Sequence, residues 1–157
     1  IAIACMKYKN FDSLDFKKFH PSGSLSVKLK TVSDLMLKGK KIPFISENTL
    51  MKKALKIISK KGLGALIIKN NKNLTSGILT DGNLKRLSQK NQDYHSLKIK
   101  NVMKKNPITI DKNMLAVKAL SIMNGRKITS LCVHSKKQKK RTIGFIHIHN
   151  ILNANIS

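Results

Sequence analysis

Tryptophan is absent from this 157-residue chain, and with two Tyr and five Phe the aromatic residues make up only 4% of it. A core must therefore be filled by Ile, Leu, Val and Met, which the 41% hydrophobic content supplies. That content excludes the disordered class, and the length suits one ordinary domain or two small intertwined repeats. Long apolar runs are missing too. Nothing approaches the roughly 18 residues a membrane-crossing helix needs, and no signal peptide is visible, so a cytoplasmic chain that does not cross a membrane is expected. Cysteine is rare. Cys5 and Cys132 lie far apart among apolar neighbours, which predicts buried, unreactive thiols in a reducing compartment rather than a disulfide.

Acid is scarce as well: 7 Asp and Glu stand against 32 Lys and Arg, a net charge of +25. Such a balance ordinarily points to nucleic acid or an anionic surface. Arginine is nearly absent from it, however. Only Arg86, Arg126 and Arg141 are Arg, and the other 29 (32 minus 3) are lysines scattered along the chain. Base and phosphate recognition relies on the guanidinium fork, so a solvated basic surface is expected and a nucleic-acid partner is not. The densest run, Lys136 to Arg141, lies between two apolar runs and reads as a hairpin loop. The chain also has no paired carboxylates and no glycine-rich phosphate cradle, so by itself it is not expected to turn over a substrate.

What the chain does have is a stretch used twice. Gly77-Ile78-Leu79-Thr80-Asp81-Gly82-Asn83-Leu84-Lys85-Arg86 reads as a buried strand that stops at a hydroxyl, then a turn, then a helix. Thr80 is placed to cap that helix. The design returns at Gly144-Phe145-Ile146-His147-Ile148-His149-Asn150-Ile151-Leu152, an offset of 67 (144 minus 77).

The rest of the chain follows the same doubling. Val32 to Met36 is answered by Ile99 to Met103, with 103 minus 36 again 67, and Ile42-Pro43-Phe44-Ile45 by Asn106 to Ile110. Two helices follow, in which Leu50, Ala54, Ile57 and Ile58 match Leu115, Ala119, Ile122 and Met123 at three- and four-residue steps on one face. Gly62 and Gly125 are the expected left-handed caps. Ala65 to Ile68 and Ser130 to Val133 are short strands buried on both faces, and Asn70 to Asn73 turns the first into the glycine-led strand. Each α/β unit alone would leave an apolar face open. The fold class expected is therefore α/β, a pseudo-two-fold pair packed face to face with clefts between the copies.

Ahead of the repeats, Ile1 to Tyr8 reads as the last turns of a helix, and Phe11, Leu14, Phe16 and Phe19 would cover another surface. The loop His20-Pro21-Ser22-Gly23-Ser24-Leu25 follows, interrupted by Pro21 and Gly23. Starting at Ile1 in mid-pattern, the chain is expected to be a piece of a longer protein.

In this order, and twice, these motifs resemble a pair of cystathionine-β-synthase (CBS) domains, the tandem Bateman module, over about Thr31 to Asn153. The loop His20 to Ser26 directly ahead of such a pair resembles the D-arabinose 5-phosphate isomerases of the sugar isomerase (SIS) family, with Ser22 and Ser26 in place of two glycines. The tail with both His147 and His149 is similar to that family's second repeat. The resemblance implies three regions: a SIS remnant and linker at 1–30, and CBS repeats at 31–92 and 93–157. It implies a parent enzyme that interconverts D-ribulose 5-phosphate and D-arabinose 5-phosphate for 3-deoxy-D-manno-octulosonate (Kdo) and lipopolysaccharide synthesis, with His20 as a catalytic group for the enediol step.

It also implies cleft residues for an adenine nucleotide at Thr80, Asp81, Asn83, His147 and Asn150, with no cofactor required. The family's ribose contact is an acid where Asn83 and Asn150 stand; an amide accepts only through one oxygen, which weakens that contact. A homo-oligomer is implied as well, a dimer through the paired module and a tetramer for the whole enzyme. His147 and His149 alternate as metal ligands would, but with no Cys, Asp or Glu close by, no metal site is expected. Two other readings stand beside this one: an adenine-nucleotide-sensing module that is free or attached elsewhere, and a basic nucleic-acid binder.

Overall fold

The computed structural model describes residues 29–90 and 93–156. The expectations for Cys5, the Phe11 to Phe19 cluster and His20 fall outside the described residues.

Two like units alternate helix and strand. The first runs α1 (Val32–Leu35), a 3-10 turn (Gly39–Lys41), β1 (Phe44–Ser46), α2 (Met51–Lys61), β2 (Ala65–Lys69), β3 (Thr75–Thr80) and α3 (Asp81–Lys90). The second runs through a 3-10 turn (Ile99–Asn101), β4 (Lys104–Lys105), β5 (Thr109–Asp111), α4 (Ala116–Arg126), β6 (Ser130–His134), β7 (Gly144–His147) and α5 (Ile148–Leu152). One sheet has the order β1-β2-β3-β4 and the other β5-β6-β7. In both, the first two strands are parallel and the next pair antiparallel.

The central strands β2 and β6 are buried from end to end until their last residue, and alternation assigns their faces. Leu66 and Ile68 pack with Met51, Ala54 and Ile58 of α2. Leu131 and Val133 pack with Ala116, Ala119 and Met123 of α4. The opposite faces meet each other: Ile67 and Cys132 join Ala65, Ile78 and Phe145 in a third cluster shared by both units. Thr75 and Thr142, 67 residues apart, share a hydroxyl hydrogen bond of 2.8 Å. A contact between equivalent residues lies on the axis that relates them, so the pseudo-two-fold pair is present.

The opening segments cross over. Val32 lies in the second unit's core and Ile99 in the first unit's. The isolated bridge Leu37–Phe145 repeats in the pair Lys104–Ile78, since 104 minus 37 and 145 minus 78 are both 67. Thr31–Leu115 and Lys98–Leu50 form a second equivalent pair of bridges. Met36 sits against Gly144 and Met103 against Gly77, each where a Cβ would stand, so neither glycine has room for a side chain.

Two expectations fail here. Leu50 and Leu115 are 48% and 40% exposed, because each is the extended N-cap residue and lies outside the helical period that buries Ala54, Ile58, Ala119 and Met123. Gly62 is the left-handed cap of α2 at φ 61, as expected, but Gly125 is not its counterpart. The helix α4 runs on to Arg126, and Lys127 takes the left-handed position at φ 52. Ile128 closes that end by donating its N–H to the Met123 carbonyl at 2.9 Å and packing on the core. The Lys136 to Arg141 run is the β6–β7 hairpin loop, as its flanks predicted.

Candidate functional site

A cleft of about 560 Å³ opens where the strand ends of the two units converge. The turn after α2 (Gly62, Gly64), the β3–α3 junction (Thr80, Asp81, Asn83) and Arg86 line it from the first unit. Lys104, Pro107, Ile108, Lys127, His147 and His149 line it from the second. Its volume suits a small molecule.

Thr80 ends β3, and its hydroxyl accepts the Asn83 backbone N–H at 3.3 Å, capping α3 as the sequence predicted. Asn83 answers. Its Oδ1 accepts the Thr80 backbone N–H at 3.0 Å and the Thr80 hydroxyl at 2.7 Å. This is a reciprocal capping box built on an amide. It consumes the one oxygen through which Asn83 could accept from a ribose and leaves N–H donors in its place.

The second unit repeats the device. Asn150 Oδ1 accepts the His147 backbone N–H at 2.9 Å, and His147 Nδ1 accepts the His149 backbone N–H at 3.3 Å. The two imidazoles lie 5.0 Å apart. Both strand ends thus reach the same cleft, with Thr80, Asp81, Asn83 and His147 among its walls, while Asn150 stands one helical turn back in the cap of α5. His149 is in α5, not in the strand.

Asp81 begins α3, where a carboxylate is favoured by the helix dipole. Its N–H donates to the Gly64 carbonyl at 3.0 Å, and its carboxylate lies over Gly64, 3.1 Å from where a Cβ would stand. With φ also at +63, Gly64 is held to glycine on two counts. The sequence reading missed the cations Arg86, Lys104 and Lys127. Lys127 answers Gly62 at the offset of 65 (127 minus 62), and Lys104 follows the aligned Met103, so the repeat itself could have pointed to both.

His147 has its pKa lowered, first by burial and then by the neighbouring His149 charge. Its Nδ1 can cap α5 only while that nitrogen carries no proton. A basic group with a depressed folded pKa contributes stability above its unfolded value of about 6.5, and that contribution is lost as pH falls toward the folded pKa. Urea midpoints are therefore expected to drop between pH 7.5 and 5.5. His147→Asn, which keeps an N-cap acceptor without a titration, is expected to flatten that drop; an equal drop in the variant would exclude His147 as the source.

Cys132 is buried at the shared face, and burial pushes its thiol up to about 12 against an opposing hydrogen bond with Thr142. It is a packing residue. Among the described residues no three His, Cys, Asp or Glu side chains gather where a metal could be held, and no helix is long and apolar enough to cross a membrane.

The CBS domain family model matches this chain twice, at residues 32–90 and 99–157. The arabinose 5-phosphate isomerase KdsD of Yersinia pestis is 36% identical over 157 residues, covering 99% of this chain and 47% of that protein. The KdsD of Francisella tularensis is 37% identical over 153 residues, covering 97% and 46%. The chain thus spans about half the length of these curated relatives. Among solved structures, CBSX2 in complex with AMP superposes with a TM-score of 0.67 at 19% identity, over 80% of this chain and 95% of that one. The CBS domain pair of MJ0100, in complex with 5′-methylthioadenosine and S-adenosyl-L-methionine, gives 0.69 at 20% identity, over 80% and 94%. These likenesses establish the fold.

Proposed function

The chain belongs to the CBS domain family, as two copies in tandem, and from that premise we propose that it is the C-terminal regulatory pair of an arabinose-5-phosphate isomerase. The observation that carries this reading is a single alignment over 99% of the chain at 36% identity, which extends through the residues ahead of the first CBS repeat. The parent would interconvert D-ribulose 5-phosphate and D-arabinose 5-phosphate and so serve Kdo and lipopolysaccharide synthesis in the cytoplasm.

In this reading residues 1–30 close off the SIS domain, and the chain alone is inactive. Moving a proton between adjacent sugar carbons through an enediol needs a group that gives and takes protons near neutral pH, and His20 fills that role in a site shared within a homo-oligomer. The CBS pair dimerises, the whole enzyme is a tetramer, and an adenine nucleotide in the cleft modulates the rate. The complexes of CBSX2 with AMP and of MJ0100 with S-adenosyl-L-methionine support a second reading, an adenine-nucleotide-sensing module attached to another protein or free.

Reading the coding sequence upstream of Ile1 separates the two. A sugar-isomerase domain there, together with isomerisation of D-arabinose 5-phosphate by the whole polypeptide, is the expected result. Its replacement by an unrelated domain would leave only the second reading. In the whole polypeptide, His20→Ala is expected to lower kcat by about 100-fold or more, the usual worth of a placed general base.

A further inference from the structure

The two crossed opening segments end on the same kind of side chain. Met36 comes just after α1 and Met103 just after the 3-10 turn at Ile99–Asn101, and each reaches the other unit, Met36 packing on the second core and Met103 on the first. Both are partly exposed, whereas Met51 and Met123 are wholly buried. The sulfur of Met36 fills the place of a Cβ on Gly144, with its Cγ and Cε 3.0 and 3.1 Å from that point, so the whole thioether end rests on β7. At Gly77 the sulfur of Met103 stands 2.6 Å from the equivalent point, with the Lys104 carbonyl oxygen next at 2.9 Å. A thioether asks nothing of such a place, being apolar and polarizable. Its oxidation product does.

A sulfoxide is polar and chiral, and its oxygen needs a hydrogen-bond donor or contact with water. The two joints differ in what they can offer. Beside Met103 the Ser76 hydroxyl already stands 3.9 Å from the sulfur, sharing its proton with the Ile68 carbonyl. The equivalent of Ser76 is Ile143 (76 plus 67), whose side chain has no donor. The backbone N–H groups on either side of Gly144 are already used, that of Ile143 on the Val133 carbonyl at 2.8 Å and that of Phe145 on the Leu37 carbonyl at 3.0 Å.

We propose that Met36 is a modification site, where a peroxide converts the thioether to its sulfoxide and so unclasps the opening segment from β7. The sulfur lone pair attacks one peroxide oxygen, and the S–O bond forms as the O–O bond breaks. The transferred oxygen gives its proton to the departing hydroxide, which leaves as water, and sulfur loses the two electrons that the peroxide gains. A dithiol-dependent sulfoxide reductase reverses the step, yielding a disulfide and water. The inference goes beyond the regulatory reading and does not depend on which enzyme the pair serves. The segment released is held to the second unit by the Ala116 N–H on the Lys30 carbonyl and the Val32 N–H on the Met114 carbonyl, both at 2.8 Å. The strand it leaves carries Phe145 into the shared cluster and His147 into the cleft, so the loss reaches both.

Treating the folded protein with hydrogen peroxide and mapping its peptides by mass tests this. Met36 and Met103 are expected to gain one oxygen each while Met51 and Met123 stay unchanged. The urea midpoint is expected to fall by about 0.5 M or more. Amide exchange at Leu37 and Phe145 is expected to quicken about tenfold or more, ahead of that at Ile78 and Lys104. A methionine sulfoxide reductase with dithiothreitol is expected to restore both readings. Met36→Leu nearly keeps the volume and cannot take the oxygen, so after the same treatment it is expected to hold its midpoint within about 0.2 M. Met103→Leu is expected to lose as much as the unaltered protein.

The proposal is overturned if Met36 stays unoxidised while Met103 takes up oxygen, or if a sulfoxide at Met36 leaves the midpoint and the exchange at Leu37 and Phe145 where they were. It is overturned as well if treated Met36→Leu loses as much as the unaltered protein, or if Met103→Leu is the variant that is spared.

Discussion

Phe145→Ala is expected to cost about 3–5 kcal/mol, the usual range for emptying a fully buried aromatic site. Phe145 is the largest fully buried side chain among the described residues. It fills the cluster that joins the two units, against Ile42, Ala65, Ile67, Ile78 and Cys132. Its backbone is fixed from both directions: its carbonyl accepts the Leu37 N–H at 2.7 Å and its own N–H donates to the Leu37 carbonyl at 3.0 Å. The strand therefore cannot slide to close the cavity, which places the cost toward the upper end of the range. Domains of this kind hold only about 5–15 kcal/mol in total, so the variant is expected to lose a third or more of its stability. Because the cavity opens between the units, both are expected to melt in one transition. Urea unfolding followed by far-ultraviolet circular dichroism measures this; a loss under about 1 kcal/mol would show that the shared cluster is not the joint between the copies.

The doubling that makes this joint was legible in the sequence because equivalent residues keep their chemistry at a fixed offset. Gly77 and Gly144, Met36 and Met103, and the apolar runs of β2 and β6 all survive as pairs, and the α/β fold follows from them. The exchange of opening segments was not legible. An offset shows that Val32 and Ile99 are equivalent, but either could pack in its own unit or in the other with the same period and the same burial. The helix ends were misread for local reasons. Leu50 and Leu115 match the apolar step of the helix but sit on the extended residue before it. A glycine at 125 invites a cap that the structure places at Lys127.

At the two strand-end caps, the amides at 83 and 150 could be seen to depart from an acid. What needed geometry was that their oxygens are already occupied by backbone N–H groups. The cations were hidden by abundance: in a chain with 32 basic residues, Arg86 and Lys104 look like any others until the fold brings them to one wall.

The exchange itself predicts where damage appears. Ile99→Asp is expected to cost about 4 kcal/mol at neutral pH from ionisation alone, since full burial can raise a carboxyl pKa by about 3 units or more and the penalty at pH 7 is then set by the roughly 3 units that separate pH 7 from the unfolded value, at 1.36 kcal/mol each. Ile99 is wholly buried and packs with Ile45, Met51, Ala54, Leu66 and Ile68, all from the first unit, and its N–H donates to the Thr49 carbonyl at 2.9 Å. A buried Asp has its pKa raised, so its penalty is full above the folded value and is relieved as pH falls toward the unfolded value of about 3.9. The deficit relative to the unaltered protein is therefore expected to shrink on acidification. Lys100→Asp, exposed one residue beyond, is the control and is expected to stay within about 0.5 kcal/mol. Although position 99 belongs to the second sequence copy, amide exchange is expected to quicken first at Leu66 and Ile68 of β2 and only later at Leu131 and Val133 of β6. Earlier loss at Leu131 and Val133 would mean that each opening segment stabilises its own unit, and the crossed arrangement would have to be given up.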